Sequence, residues 1–284
     1  MCAKYNGIES LESRRLLSAA VVAGTTLLVK GDAGVPNTIS VHYTDAGDQV
    51  EVTIDSTNKL GVVKHLDKFF PTTLGITQVV VRGGAKADVI DVGQSGKNFD
   101  LATNNFAMPG ADTIHTGDES DWIDAGAGND TVHSGDGNDT VRGGQGDDSL
   151  HVGDGNDKVA GGQGNDVIVA GDGNDLLTGG SGADSVTAGD GTDLIYGGAG
   201  NDTLTAGDGV ADSLYGGAGD DTLTAGNGGD TFGAVLGHNT VTGGIGQNTF
   251  NVKSLVDNTT NYDPTKDILV IKHGLDSTGP SNVS

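Results

Sequence analysis

The stretch that decides the fold is Gly143-Gly144-Gln145-Gly146-Asp147-Asp148-Ser149-Leu150-His151, followed without a gap by Val152-Gly153-Asp154-Gly155-Asn156-Asp157-Lys158-Val159-Ala160. The two pieces share a nine-residue frame. Glycine stands at positions two and four, aspartate at six and an aliphatic side chain at eight. The frame tiles nine times from Ala125 to Thr205. It reaches back to Thr116–Asp124. Forward of the core it continues through a ten-residue block, Ala206–Tyr215, then Gly216–Thr224 and Ala225–Gly233.

Two glycines two apart, followed by Asn or Asp, are poor helix and poor strand material and suit a tight turn that visits positive φ. The last three residues of each block alternate. In Thr203-Leu204-Thr205 the leucine faces one way and the threonines the other. Each block therefore reads as a six-residue turn and a three-residue strand. One block cannot bury its aliphatic side chain alone. Stacked blocks can, as a column of Val, Leu and Ile.

A second period overlies the first. Blocks opening Gly-Gly (Gly143, Gly161, Gly179, Gly197, Gly216) alternate with blocks opening Ala-Gly (Ala170, Ala188, Ala206, Ala225). The full repeat is thus eighteen residues, one coil of a two-sheet solenoid, with like turns stacked at the strand spacing of about 4.8 Å. The sixth-position carboxylates then form two files. Asp130, Asp148, Asp166, Asp184, Asp202 and Asp221 make one; Asp121, Asp139, Asp157, Asp175, Asp193, Asp212 and Asp230 make the other. Two bare carboxylates about 5 Å apart repel by roughly 1 kcal/mol even in water. A cation between successive turns relieves this. Carboxylate and carbonyl oxygens in an open turn select calcium over transition metals and over magnesium, which demands a tighter octahedron.

The segment resembles the parallel β-roll of RTX (haemolysin-type) calcium-binding proteins, over a little under half the chain. The resemblance implies an all-β fold and several calcium ions. Each ion would sit between two stacked turns, held by sixth-position aspartates and by backbone carbonyls of the turns. Carried over, the ligands are the thirteen aspartates of the two files.

Formal net charge is −24. Between Thr116 and Gly233 there are 23 acidic residues against Arg142 and Lys158, so the acidity belongs to the repeats. It excludes nucleic acid as a partner, which needs a basic face. Aromatic residues make up 4% of the chain, too few for an ordinary globular core but enough for a fold that grows in one dimension. Cys2 is the sole cysteine and precludes an intramolecular disulfide. Calcium would take that stapling role. Extracellular calcium modules bind at about 10⁻⁴–10⁻³ M, so a chain this acidic is expected to fold outside the cell.

Residues 1–30 read as a leader or sorting segment, in which Arg14-Arg15 precede a mostly apolar run, Leu16–Val29. The run falls short of a membrane-spanning helix. Leu11-Glu12-Ser13-Arg14-Arg15-Leu16-Leu17-Ser18-Ala19 resembles the LEPR-XLL motif of large repetitive bacterial surface proteins, with Ser13 in the proline position. The alternative is a first strand of the domain behind a frayed tail. Residues 31–82 read as an N-terminal β cap. They contain a degenerate repeat with Asn37 in the aspartate position and strands at Ile39–Tyr43, Gln49–Asp55 and Ile76–Arg82. Residues 83–251 read as the roll. Its first block lacks the fourth glycine and carries Lys86, and Asn98–Met108 interrupts it. Gly110-Ala111-Asp112-Thr113-Ile114 then resumes the pattern. Towards the end Asn239 and Asn248 replace aspartate, and those coils are expected to pack without calcium. Residues 252–284 read as a C-terminal cap and tail, in which Asn261–Ile271 resembles the segment that closes RTX rolls.

No His-Glu-x-x-His, Gly-x-Ser-x-Gly or Walker sequence is present, and the Gly-x-Gly triplets open no helix. His115, His133 and His151, eighteen apart, should form an outward ladder that could share a transition metal or have no role. The threonine pairs Thr203/Thr205 and Thr222/Thr224 resemble flat ice-binding faces, on a few coils only. The leading expectation is a non-enzymatic, calcium-binding structural or adhesive protein, secreted or on the cell surface, that contacts cell-surface or extracellular-matrix components. The other is the calcium-binding module of a secreted enzyme of protease, lipase or epimerase type whose catalytic part lies elsewhere.

Overall fold

The computed structural model describes residues 19–43, 49–57, 63–71, 74, 76, 78–93, 103–234, 238–244, 246–252, 258–260 and 268–271. Over these residues the chain is a parallel β-roll. Two sheets of 13 strands each face one another, and successive strands of the roll fall alternately in one sheet and the other. Among the described residues there is no α-helix. Thr131–His133 pairs in parallel with Thr113–His115 and with Ser149–Gly153, so eighteen residues make one coil, as the block alternation requires.

The two edges of the coil are not equal. In the first sheet the strands from Trp122–Ala127 to Ser213–Ala218 are six residues long, as in Thr140–Gln145 and Lys158–Gln163. They run through the Gly-Gly-x opening of the next block, where Gly144 pairs with both Gly126 and Gly162. In the second sheet most strands of the roll are three residues, as in Thr131–His133 and Thr203–Thr205. The expected six-residue turn is therefore found on the Ala-Gly edge, while on the Gly-Gly edge only three residues turn. Gly144 shows why glycine is needed there. Its φ is +119°, and a Cβ on it would collide with the carbonyl oxygen of Gly126 one coil back.

Between the sheets lies the aliphatic column. Ile123, Leu150, Ile168, Leu177, Val186, Ile195 and Leu204 are all fully buried. Full burial of one such side chain gains roughly 1.5–3 kcal/mol. The column ends in Phe232 and Phe250, whose rings stack at 5.0 Å. The ten-residue block Ala206–Tyr215 keeps its aspartate in register by extruding its extra length at the turn, where Val210 is 79% exposed.

The first part of the roll is built differently. Asn37–Tyr43, Gln49–Thr57 and Val63–Pro71 form an antiparallel meander at the end of the second sheet. Ala19–Ala23 and Thr26–Lys30, within the stretch read as a leader, form an antiparallel hairpin at the end of the first sheet, with Leu27 and Val29 in the core. The interruption Asn98–Met108 is corrected in part, because Thr103–Pro109 is a strand of the first sheet paired with Trp122–Ala127. Its buried position opposite Ile123 is filled by Asn105, whose amide donates to the Thr103 hydroxyl at 2.8 Å. At the other end Asn258–Thr260 and Ile268–Ile271 extend the two sheets. The LEPR-XLL-like motif up to Ser18, the turn Asp45–Asp48, the segment 261–267 and the tail Ser277–Ser284 lie outside the described residues.

The alternation yields a paired test within one strand. Ile168 is buried and its neighbour Val167 is 42% exposed. Ile168→Asp should cost several kcal/mol by placing a charge with no partner in the column, while Val167→Asp should be nearly neutral. Urea unfolding in saturating calcium, followed by far-ultraviolet circular dichroism, reads the difference. Equal midpoints for the two variants would mean that the column is not the core.

Candidate metal centre

The turns bring the thirteen predicted aspartates into the two files. All are buried, between 0% and 3% exposed. Each is fixed by three hydrogen-bonding atoms. Its carbonyl oxygen accepts from the strand amide one coil on, as in Ser149 N–H to Asp130 at 2.8 Å. Its own amide donates to Oδ1 of the sixth-position residue one coil on, an aspartate for all but Asp221 and Asp230, which donate to Asn239 and Asn248, and its Oδ1 accepts from the sixth-position amide one coil before. The run Asp112, Asp130, Asp148, Asp166, Asp184, Asp202, Asp221 is continuous at 2.8–3.0 Å. So is Asp121, Asp139, Asp157, Asp175, Asp193, Asp212, Asp230 at 2.8–3.0 Å.

The second oxygen of each carboxylate has a different fate. Oδ2 of Asp112, Asp130, Asp148, Asp166, Asp184 and Asp202 is buried without a hydrogen-bond partner. The same holds for Asp157, Asp175, Asp193, Asp212 and Asp230 in the other file. A buried, unpartnered carboxylate oxygen costs several kcal/mol unless a cation or proton meets it. On the Gly-Gly edge, from Asp148 to Asp202, this oxygen points into space left by the first glycine of its own block, whereas Ala125 stands at that position beside Asp130. A Cβ on Gly143 would strike Asp148 Oδ2 and lie 2.8 Å from the Gly161 carbonyl oxygen of the next coil. Gly161 stands in the same relation to Asp166 and the Gly179 carbonyl. The cradle is thus lined by a carboxylate oxygen and a carbonyl oxygen from adjacent coils. These are hard donors of the kind calcium takes.

On the other edge the first position tolerates a Cβ and even a hydroxyl. Thr116 donates to the Ser134 carbonyl at 2.7 Å, and Ser134 to the Val152 carbonyl at 3.1 Å. That edge also carries a third file at the third position, including Asp136, Asp154, Asp172 and Asp190. These are exposed, and each accepts an amide from the following coil at 3.0–3.4 Å. Water screens them, so they do not share the problem of the buried files.

Burial raises the sixth-position carboxyls, with the carboxylates of adjacent coils adding to the shift at several positions. Asp112, Asp139 and Asp148 are pushed up to about 7, and Asp157, Asp166, Asp175, Asp193, Asp202 and Asp212 to about 6. Asp121 is pushed up to about 6, also chiefly by burial, with the hydroxyls of Thr116 and Thr103 pulling it back. Among the described residues no three His, Cys, Asp or Glu side chains converge on one point. The files explain this: carboxylates arrive one per coil, so a cation between turns would draw its remaining ligands from backbone carbonyls.

Asp112 was outside the thirteen. It belongs to the first file, buried and with the same unpartnered Oδ2. Its signal was the Asp-Thr-Ile that follows the interruption. Asp88, one coil earlier, differs, because its Oδ2 accepts from the Gly84 amide. The histidine ladder forms: His115, His133 and His151 stack at 4.9 and 5.0 Å. Loss of hydration, and then the two neighbouring imidazoles, push the pKa of His133 down. The threonine pairs continue in register from Ser185/Thr187 to Thr240/Thr242.

A family model described as the RTX calcium-binding nonapeptide repeat, four copies, matches residues 106–141, 133–168, 142–177, 169–204, 178–211 and 206–232. No curated protein matches the chain. Buried files of aspartates, glycine-lined oxygen cradles and this match agree on one statement: residues 106–232 are RTX calcium-binding nonapeptide repeats, folded as a β-roll.

Proposed function

We propose that the chain is a non-catalytic structural or adhesive β-roll, secreted or held at the cell surface, that completes its fold by taking calcium ions between stacked turns. The observation that carries the calcium reading is the set of buried Oδ2 atoms without hydrogen-bond partners. The proposed ligands are the thirteen aspartates of the two files, joined by Asp112, with turn carbonyls such as that of Gly161. The chain's own residues do the rest. Oδ1 of each aspartate holds the neighbouring coil, and Oδ2 is held towards the cradle. The first glycine on one edge keeps the cradle open. The domain division proposed is 83–251 for the roll and 252–284 for the C-terminal cap. Ala19–Lys30 joins the N-terminal cap 31–82, because its Leu27 and Val29 are core residues. Localisation outside the cell follows from the calcium level such turns need.

Coupled folding is the direct test. In chelator at neutral pH the carboxylate files repel and one aliphatic per nine residues does not offset backbone entropy of about 1–2 kcal/mol per residue. The roll should be largely unfolded, and should gain β structure steeply at roughly millimolar calcium, with magnesium a poor substitute. A roll that is fully β in chelator, and unchanged by calcium, would refute the reading. Circular dichroism across a calcium series measures this.

The ligand position is tested by two neutralisations. Asp166→Asn keeps the Oδ1 acceptor but replaces Oδ2 with an amide, so it should reduce the calcium bound and raise the calcium midpoint. Asp136→Asn, on the exposed third-position file, should leave both near wild type. Isothermal titration of the two variants separates them, and equal behaviour would mean the assigned ligand position is wrong.

Acid should replace calcium. The buried carboxyls have folded-state values of about 6 to about 7 against an ordinary 3.8. A group raised on folding stabilises the fold below its unfolded pKa, and that contribution disappears as pH rises through the folded value. The window therefore runs from about pH 4 to about pH 7. In chelator, β content should rise as pH is lowered across this window and fall on return to neutrality. A calcium-free chain whose circular dichroism is flat between pH 8 and pH 4 would contradict the burial of bare carboxylates.

A further inference from the structure

Both files of sixth-position residues begin with neutral side chains, and their last members among the described residues are neutral too. The first runs from Asn37 through Asp88 and Asp112 to Asn239, and the second from Thr103 to Asn248. Asn37 is the best determined of these ends. It occupies the aspartate position by register, since Thr38 pairs with Val89 and its amide donates to Asp88 Oδ1 at 2.7 Å. A Cβ on Gly31 would lie 2.8 Å from Asn37 Nδ2, the relation Gly143 has to Asp148 Oδ2. The Asn37 Nδ2 therefore stands where the roll has a carboxylate oxygen without a hydrogen-bond partner.

There it faces oxygens. Nδ2 lies 2.8 Å from Asp88 Oδ1, 3.0 Å from the Val35 carbonyl and 3.1 Å from the Asp32 carbonyl. One carboxylate from the next coil and two turn carbonyls are the donor set a cation would take. The Asn37 Oδ1 is also committed, accepting from the Asp32 amide at 2.8 Å and the Ser56 hydroxyl at 2.7 Å. Asp88, next in the file, has its Oδ2 met by the Gly84 amide. Oxygens without a hydrogen-bond partner in this file begin only at Asp112.

We infer that Asn37 is an internal stand-in for the cation. Asparagine at the sixth position marks a coil that closes without calcium, and the cap around Asn37 is a preformed template on which the calcium-dependent coils add. The inference rests on the proposed calcium reading of the roll for its contrast, but concerns different residues. The cap has independent means of support. Ile39, Val41, Val50, Val52 and Ile54 form a buried apolar cluster in the antiparallel meander, which needs no carboxylate file.

Hydrogen exchange of the full-length chain, read by mass spectrometry of peptides, tests both statements separately. In chelator at pH 7 amides of Thr38–Val41, Val50–Ile54 and Val79–Val81 should be protected, while those of Ser149–Val186 should exchange freely and gain protection on adding calcium. Cap amides that exchange as freely as the roll in chelator would overturn the inference. A roll indifferent to calcium would overturn the calcium reading and leave the cap result standing. Asn37→Asp sets a carboxylate against Asp88 and the two carbonyls, which should abolish cap protection in chelator and restore it with calcium. Unchanged protection of Asn37→Asp in chelator would show that the amide does not act as the cation's substitute. The wild-type comparison decides the matter even where Asn37→Asp does not fold.

Discussion

The constraint on which this structure depends is that each sixth-position aspartate must serve two neighbours with one carboxylate. In Asp148, for example, Oδ1 holds the amide of the preceding coil, and Oδ2 is left buried without a hydrogen-bond partner in a cradle of oxygens. The first arrangement orders the coils and the second penalises them. Repulsion between charges about 5 Å apart grows as the dielectric falls below that of water. The same side chain therefore builds the stack and makes it conditional on a proton or a cation. An amide at that position keeps the first property and removes the second. An alanine would lose both.

The difference between the two edges follows from the same constraint. On the Gly-Gly edge the strand continues through the opening of the next block, so Oδ2 and the first residue crowd one volume; glycine yields it at Gly143, Gly161, Gly179 and Gly197, while Ala125 holds the same position beside Asp130. On the Ala-Gly edge the turn occupies six residues and bulges outward. Thr116, Ser134, Ala170 and Ala188 fit at its first position. The longer turn also exposes its third position, where a file of aspartates is tolerated because water screens it. The eighteen-residue period is thus a consequence of two turn geometries, each with its own steric rule.

Much of this was legible in the sequence because the period carries it. Aspartate at six and an aliphatic at eight recur without slip from Asp121 to Leu204, and any other register would expose Ile168 or bury Val167. Where the period fails, legibility fails with it. Thr103–Pro109 does not match the frame because its inward residue is Asn105, a polar side chain made tolerable by Thr103. Asp112 lies nine residues before Asp121 and in phase with it, but its block opens Ala107-Met108-Pro109 and lacks the second-position glycine that marks the frame. Val63–Pro71 and the hairpin Ala19–Lys30 pair antiparallel, through contacts that no nine-residue count contains. The unequal strand lengths were also hidden, since Gly-Gly-Gln reads as a turn by composition yet extends a strand when the same residues lie above and below it.

A solenoid has ends, and the ends show how the charge is arranged along the axis. A cation between turns is shared by two carboxylates, so an interior aspartate has a turn on either side with which to share. The outermost residue of a file has one. A carboxylate there would carry its full desolvation with half the compensation, so a neutral residue is the better terminus. At the start of the files this holds: Asn37 and Thr103 are neutral, and each still makes the inter-coil hydrogen bond that an aspartate would. Asn239 and Asn248 are neutral members near the other end, followed in register by Asp257 and Asp267, which lie outside the described residues. Asparagine serves in the file because its Oδ1 repeats the carboxylate's acceptor, as Asn239 and Asn248 do for Asp221 and Asp230. Its Nδ2 supplies a donor where the carboxylate would need an ion, as Asn37 does for Asp88. The aspartate files therefore start beside turns whose sixth-position residues are neutral.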